Sequence, residues 1–218
     1  MQIFWHGHSL FQIIVSKNKN SQIKIVIDPF DKSIGLKVPR LEADILLVTH
    51  QHHDHNNIKA IAGNPFVIEG AGEYEVKNVF VQGVPSFQDN VEGKERGGNI
   101  IYVIDAEGIK ICHLGDFGQK ELSEEQLEKI GDIDILMIPV GGNYTISAKE
   151  ANKIMSQIEP KITIPIHYQL PKLKIKLSHL SEFLKVFGIK NLEPEKKLLL
   201  KKKDLLGDEA KIIVLEKK

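Results

Sequence analysis

Residues 49–55 read Thr49-His50-Gln51-His52-His53-Asp54-His55, four imidazoles and a carboxylate within seven positions. Histidine is the commonest metal ligand and the usual acid–base side chain near neutral pH, so this density points to a bound cation. The run 43–48 directly upstream, apolar except for Asp44, predicts a strand buried on both faces. His50 and His52 lie two apart just past it and share one side if the backbone stays extended. Asp54 and His55 follow where the chain must turn toward a helix predicted over residues 57–62. Such a turn can offer two imidazoles to one cation and a carboxylate plus a third imidazole to a neighbouring one. Zinc accepts that mixture of nitrogen and oxygen ligands, as do some other first-row metals. A merely polar, histidine-rich loop has no need to sit at the end of a buried strand.

The elements that must position this loop alternate in character along the chain. Short β-branched or aromatic runs predict strands over Gln2–Trp5 and residues 10–15 and 23–27, with a polar turn at 17–21 and a stop at Asp28-Pro29. Further strands are predicted over Phe66–Ile68 and residues 74–76, 79–84, 100–105 and 110–113. Ser123…Gln126 and Ser147…Glu150 carry the capping-box spacing and each opens a helix. Residues 133–138 and Ile162–Ile166 read as buried strands between helices. A third helix spans 180–187 and ends at Gly188. The tail segments 198–200 and 212–215 are expected to pair as an edge. Strands first and strand–helix alternation later suggest sheets covered by helices. No linker divides the chain, so one domain over 1–218 is expected. The polar segment 86–98 is long enough for a functional loop.

Composition narrows the class. A chain of 218 residues with 42% hydrophobic and 27% charged residues is ordinary for a globular protein. The 29 basic residues balance the 29 acidic ones, so no global field draws it to nucleic acid. Cys112 is the lone cysteine, which excludes an internal disulfide framework. Neither a signal-like N-terminus nor an apolar run of the roughly 20 residues a bilayer demands is present. A cytoplasmic protein with no membrane association is expected.

The pattern His-x-His-x-Asp-His after a strand resembles the signature of the metallo-β-lactamase superfamily. Gly7-His8-Ser9, Ile27-Asp28-Pro29, Gly70-Ala-Gly-Glu-Tyr-Glu75, Arg96-Gly-Gly-Asn99, His113-Leu-Gly-Asp116, Pro139-Val-Gly-Gly142 and Ile166-His167-Tyr168 resemble segments of one small prokaryotic, zinc-dependent hydrolase-like branch, in its order. The resemblance implies an α/β fold, the four-layer αββα sandwich. It implies His50 and His52 at a first metal site, Asp54 and His55 at a second, Asp116 bridging the two, and His167 completing the second. Asp54 is also the candidate catalytic carboxylate. The implied cofactor is zinc, one or two ions, with manganese or iron as alternatives. The implied reaction is attack of a metal-bound hydroxide on an ester, lactone, thioester or phosphodiester of a small molecule. The alternative is a non-catalytic descendant of the fold with a binding or regulatory role. A homo-oligomer is compatible with the sequence.

Two positions depart from the family pattern. Ser86-Phe87-Gln88-Asp89 carries Gln88 where the resemblance implies a third histidine for the first site, and Gly118-Gln119 stands where Gly-His is expected. A neutral amide oxygen is a weak zinc ligand beside imidazole. A filled second site and a weak or empty first site are therefore expected.

Other residues have quieter readings. Asp28 either orients a ligand histidine or caps the turn at Pro29, and His8 either assists in the same way or satisfies local backbone. His113 is expected in the core or behind a ligand rather than on the metal. His53 should face outward or toward substrate, while His6 and His179 read as ordinary residues. Cys112 and His113 are adjacent on a strand and face opposite ways, so they cannot form a nucleophile–base pair. Gly7-His8-Ser9-Leu10-Phe11 lacks the last glycine of a nucleophile elbow, and Gly70-Ala-Gly72 lacks the third glycine of a dinucleotide fingerprint. The lysines at 196–197 and 201–203 suit a solvated strand edge.

Overall fold

The structure, a computed structural model, describes residues 1–18, 21–207 and 209–218. The polar turn expected at 17–21 falls in part on Lys19 and Asn20, outside the described residues. The strands are β1 (Gln2–Trp5), β2 (Phe11–Asn18), β3 (Ser21–Ile27), β4 (Leu41–Glu42), β5 (Ile45–Leu47), β6 (Ile61–Ala62), β7 (Phe66–Ile68), β8 (Gly72–Val76), β9 (Val79–Phe87), β10 (Gly98–Ala106) and β11 (Ile109–His113). Then come α1 (Glu124–Ile130), β12 (Ile135–Pro139), α2 (Ala148–Ile158), β13 (Ile162–Ile166), α3 (Leu180–Val186), β14 (Leu198–Leu199) and β15 (Lys211–Ile212).

Two large sheets form, ordered β14-β1-β2-β3-β5-β7 and β15-β13-β12-β11-β10-β9-β8. The period-2 pleat divides the first sheet's side chains between two cores. Ile25, Ile27, Ile45 and Leu47 face the main cluster between the sheets, whereas Val26 and Leu46 face a smaller one with Leu10, Phe30, Leu173 and Leu177. In the second sheet β12 and β13 are buried at every position, as parallel strands covered on both faces should be. The capping boxes at Ser123 and Ser147 open α1 and α2 as the spacing predicts. Ala151, Ile154 and Ile158 of α2 and Phe183 and Leu184 of α3 pack against the main core. The result is the layered α/β sandwich expected from the sequence.

Two expectations fail. Residues 57–62 form a single 3-10 turn and the short strand β6 instead of a helix, because Ile61 pairs in parallel with Leu41. The tail segments do not pair with each other. β14 adds antiparallel to β1 on one sheet, and β15 adds parallel to β13 on the other. Each sheet offered an open edge, and a strand near each completes its ladder there.

Tyr102, fully buried on β10, ties the sheets together. Its hydroxyl reaches the carbonyl oxygens of Val48 at 3.0 Å and Ile68 at 3.1 Å, at the ends of β5 and β7. Tyr102→Phe is expected to destabilise the protein by about 1–3 kcal/mol, since the buried Val48 carbonyl loses its donor, while that of Ile68 keeps the Val48 N–H. Urea denaturation of the two proteins at equal metal content measures it. Among the described residues, no helix is long and apolar enough to cross a membrane.

Candidate metal centre

The candidate residues all lie just beyond the C-terminal ends of strands. His8 follows β1, Asp28 follows β3, His50 to His55 follow β5, Asp116 follows β11 and His167 follows β13. Strand ends of this kind gather loops from distant sequence at one rim, where open α/β sheets carry their sites. Three of these residues, His8, Asp28 and His167, sit at φ of 54°, 51° and 52°. Left-handed backbone outside glycine costs roughly 1 kcal/mol or more per residue, and here it falls on side chains aimed at the rim. Gly115 makes the turn into Asp116 at φ 57°, where a Cβ would lie 2.5 Å from Asn99 Oδ1. That Asn99 oxygen accepts the Asp116 N–H at 3.0 Å, while its amide nitrogen donates to Ser86 Oγ and to the Leu114 carbonyl.

All six residues expected to bind metal come together. His50, His52 and Asp54 place one ligand atom each within 4.8 Å of one another, and so do His50, His55 and Asp116. A third group joins His8, Asp54, His55 and His167. Asp116 lies among the imidazoles, with His55 Nε2 at 3.1 Å, His167 Nε2 at 3.3 Å and His50 Nε2 at 3.9 Å. The chain bends and turns through 49–55 instead of staying extended, with the His55 and Asn56 N–H groups both donating to the His52 carbonyl. His50 is buried and His52 exposed.

The donor set fits a cation. Nε2 of His50, His55 and His167 and Oδ1 of Asp116 are buried without a hydrogen-bond partner, although several lie within ion-pair distance. Buried polar atoms in native proteins are nearly always paired. A converging set of imidazole nitrogens and a carboxylate oxygen is what a borderline-soft divalent ion completes.

The support behind this set was only half legible. Asp28, fully buried, accepts Thr49 N–H at 2.8 Å on Oδ1. Its Oδ2 accepts the Thr49 hydroxyl at 2.8 Å, His55 Nδ1–H at 3.0 Å and His113 Nε2–H at 3.1 Å. Thr49 Oγ1, having donated to Asp28, accepts His50 Nδ1–H at 3.0 Å. One carboxylate thus assigns the tautomers of His50 and His55 and leaves both Nε2 atoms for the cluster. The orienting role foreseen for Asp28 and the placement of His113 behind the ligands agree with this network. Thr49 was missed; its only signal was adjacency to the motif. His8 is more deeply involved than the sequence suggested. Its Nε2 is 3.1 Å from Asp54 Oδ2, and its carbonyl accepts from Trp5 Nε1 and from the His167 N–H. His53 is exposed at the cleft, as expected, and Cys112 is buried with its thiol pushed up by burial. His6 is buried and His179 exposed.

The protonation states follow from this packing. Burial, then the charge of His55, lowers the pKa of His50 to about 3, and burial lowers that of His8 to about 4. Burial alone would lower the pKa of His55, but Asp116, Asp28 and Asp54 outweigh it and hold it well above its ordinary value. Burial likewise opposes ionisation of Asp116, yet His167 and His55 hold its carboxyl well below the usual range. Without a cation, His55 is protonated at neutral pH. At pH 7 a cation taking that proton's place is therefore expected to release about one proton. Calorimetric zinc titrations in buffers of different ionisation enthalpy measure that number, and zero release would contradict the assignment.

His52, Asp54, Asp116 and His167 of the cluster form the floor of a cleft of about 640 Å³. Gln88 lines it and uses its amide N–H on the Gly98 carbonyl at 2.7 Å. Gly118 lets this loop approach, because a Cβ there would meet the Gln88 carbonyl oxygen at 2.0 Å. Gln119 lies away from the cluster, accepting the Phe87 N–H at 3.0 Å and bonding Gln126. A second groove of about 570 Å³, beside Gln119, includes none of the His/Asp clusters found among the described residues.

Comparison with known proteins agrees with this geometry. The family model described as the beta-lactamase superfamily domain matches residues 2–167. A UPF0173 metal-dependent hydrolase of Thermococcus onnurineus is 33% identical over 189 residues, 74% of this chain and 82% of that protein. A metallo-beta-lactamase superfamily protein of Thermotoga maritima, solved by crystallography, superposes with a TM-score of 0.77 at 35% identity, covering 98% of this chain and 97% of that one. An isothiocyanate hydrolase from Delia radicum gut bacteria shares the fold at a TM-score of 0.64 and 13% identity, covering 92% and 100%. With its strand-end histidines and aspartates in the family's order, this chain belongs to the beta-lactamase superfamily, among relatives named metal-dependent hydrolases.

Proposed function

We propose that residues 1–218 act as one metallo-β-lactamase-type unit, a cytoplasmic hydrolase of a small ester, lactone, thioester or phosphodiester. Its ion or ions, zinc in the first instance, would be held by His50, His52, Asp54, His55, Asp116 and His167. The observation that carries this reading is the convergence of unpartnered, buried Nε2 and Oδ1 atoms on one point of the rim. A lone, buried Cys112 suits a reducing compartment.

When bound, such an ion supplies water of near-neutral pKa and a charge that stabilises the oxyanion of the transition state. The chain's own residues do the rest. Asp54 is kept ionised: burial opposes this, but His55 and His8 outweigh it. Its carboxylate lines the cleft and is the acceptor for the proton of the attacking water. His8 Nε2–H holds Asp54 Oδ2 and so fixes the orientation of that carboxylate. Asp28 and Thr49 hold the His55 and His50 rings in place as charge develops.

A specific observation favours the second, non-catalytic reading: Gln88 faces the cleft with a neutral amide already bonded to Gly98. Elemental analysis of untagged protein, purified without chelator and back-titrated with zinc, tests both. About one tightly held ion per chain is expected, with Gln88→His raising it toward two and raising hydrolysis of a model ester by tenfold or more, at roughly 1.4 kcal/mol per decade. No ion after zinc addition would end the hydrolase reading. Two equal ions in the unaltered protein would end the expectation of a weak first site.

A further inference from the structure

The cleft carries charge that the hydrolytic chemistry leaves unused. Arg96, Lys174 and Lys176 all line it, and among the described residues none of the three pairs with a carboxylate. The only acidic side chains in the lining, Asp54 and Asp116, belong to the ligand cluster on the floor. The chain's formal net charge is zero, so three unpaired cations at one cleft are a local concentration and not a consequence of overall basicity.

The segments presenting them are built. Asp89, buried between β9 and β10, accepts the N–H groups of Val91, Gly93, Glu95 and Arg96 at 2.8–3.0 Å, winding the loop around one carboxylate. The Arg96 guanidinium lies 5.6 Å from the ring centre of Tyr144, another wall of the cleft. Beyond β13, Leu173 and Leu177 are buried in the smaller core while Lys174 and Lys176 between them are exposed. That segment is pinned by Lys174 N–H to the Ile34 carbonyl at 2.8 Å, Leu177 N–H to Gln169 Oε1 at 3.0 Å and Asn143 Nδ2 to the Lys176 carbonyl at 2.7 Å.

We propose that the substrate carries a phosphate-type dianion set apart from the bond that is cut, and that Arg96, Lys174 and Lys176 hold it. A guanidinium fork with two ammonium groups offers donors to three oxygens, and a dianion answers two of the three positive charges where a carboxylate would answer one. The bond-breaking half of this statement rests on the hydrolase reading; the anion site rests on the chain's own side chains.

Two measurements separate them. The protein as purified is titrated calorimetrically with inorganic phosphate, beside Arg96→Ala, Lys174→Ala/Lys176→Ala and the control Lys149→Ala on α2. Saturable binding that weakens with added salt is expected, reduced about tenfold by loss of each cation and unchanged in the control. Absent binding, or equal binding by all four proteins, overturns the proposal. Zinc-loaded protein is then given matched chromogenic esters ending in phosphate, carboxylate or hydroxyl. A lower KM for the phosphate ester, with the preference collapsing in Arg96→Ala, is expected. Equal preference for carboxylate and phosphate overturns the dianion assignment. If no ester is cleaved while phosphate still binds at these residues, the hydrolase reading fails and the anion site stands. If esters are cleaved without preference and phosphate does not bind, the reverse holds.

Discussion

Replacing Asp116 by Asn is expected to strip the cluster of metal and to abolish hydrolysis while the chain still folds. Asp116 lies near three imidazole nitrogens, His55 at 3.1 Å, His167 at 3.3 Å and His50 at 3.9 Å, whereas Asp54 comes no closer than 3.7 Å to His55. The substitution keeps size and removes the charge. Breaking a buried charge pair by removing one partner costs about 3–5 kcal/mol. Expressed as binding free energy, that is about two to four orders of magnitude in affinity for the ion. The metal-free fold should suffer less, because His55 keeps Asp28 and Asp54 as partners and is free to lose its proton. A chelator competition titration reads the affinity, and thermal unfolding without metal reads the fold. An Asn variant with undiminished zinc affinity would remove Asp116 from the ligand set and with it the basis of the proposed function.

The difference between what the sequence disclosed and what it hid has a physical pattern. Strands that are apolar throughout, such as β5 and β12, or nearly so, such as β13 with its single Thr163, were legible because burial on both faces disfavours polar residues. The α1 and α2 starts were legible because Ser-x-x-Gln and Ser-x-x-Glu satisfy backbone donors locally. The ligand histidines of 50–55 were legible because they are crowded into one turn. Asp116 and His167 gave no such signal; only family resemblance connects them with residues 60 to 110 positions earlier by rough count. Where partners are chosen across the sheets, local reading failed. Residues 57–62 look helical in isolation but are recruited as β6 by Leu41, and the tail segments chose different sheets. The Asp28–Thr49–His50 relay and the Asn99 clasp on Asp116 depend on strand ends meeting at the rim, which no window of sequence contains.

That relay makes Asp28→Asn the variant with the broadest expected damage. Asp28 is fully buried and accepts four donors: Thr49 N–H, the Thr49 hydroxyl, His55 Nδ1–H and His113 Nε2–H. Asparagine tolerates the left-handed backbone at φ 51°, so backbone strain is not the cause of the loss. Its amide brings a donor where the carboxylate offered acceptors, so at least one buried donor is left facing another. A buried group left unsatisfied costs about 1–3 kcal/mol, and two or more such groups give a loss of several kcal/mol in the metal-free protein. Metal binding weakens as well, because His55 loses the acceptor that fixes its Nδ1–H tautomer and His50 loses it through Thr49. Partners of this kind are worth about 10–100-fold in affinity. Thr49→Val, which breaks only the branch to His50, should show the smaller part of that loss. Acid provides the sign test. Burial works against ionisation of Asp28, but His55 and His113 outweigh it and hold its carboxyl below the ordinary range. Its contribution to stability is therefore complete above the unfolded value of about 3.9 and is lost as pH falls from there toward the folded value. The stability gap between the two proteins should stay constant from neutral pH down to about 4, as far as this carboxyl determines it, and narrow only below that. A gap that closes already between pH 7 and 5 would mean that a histidine, and not the Asp28 carboxylate, holds the rim together.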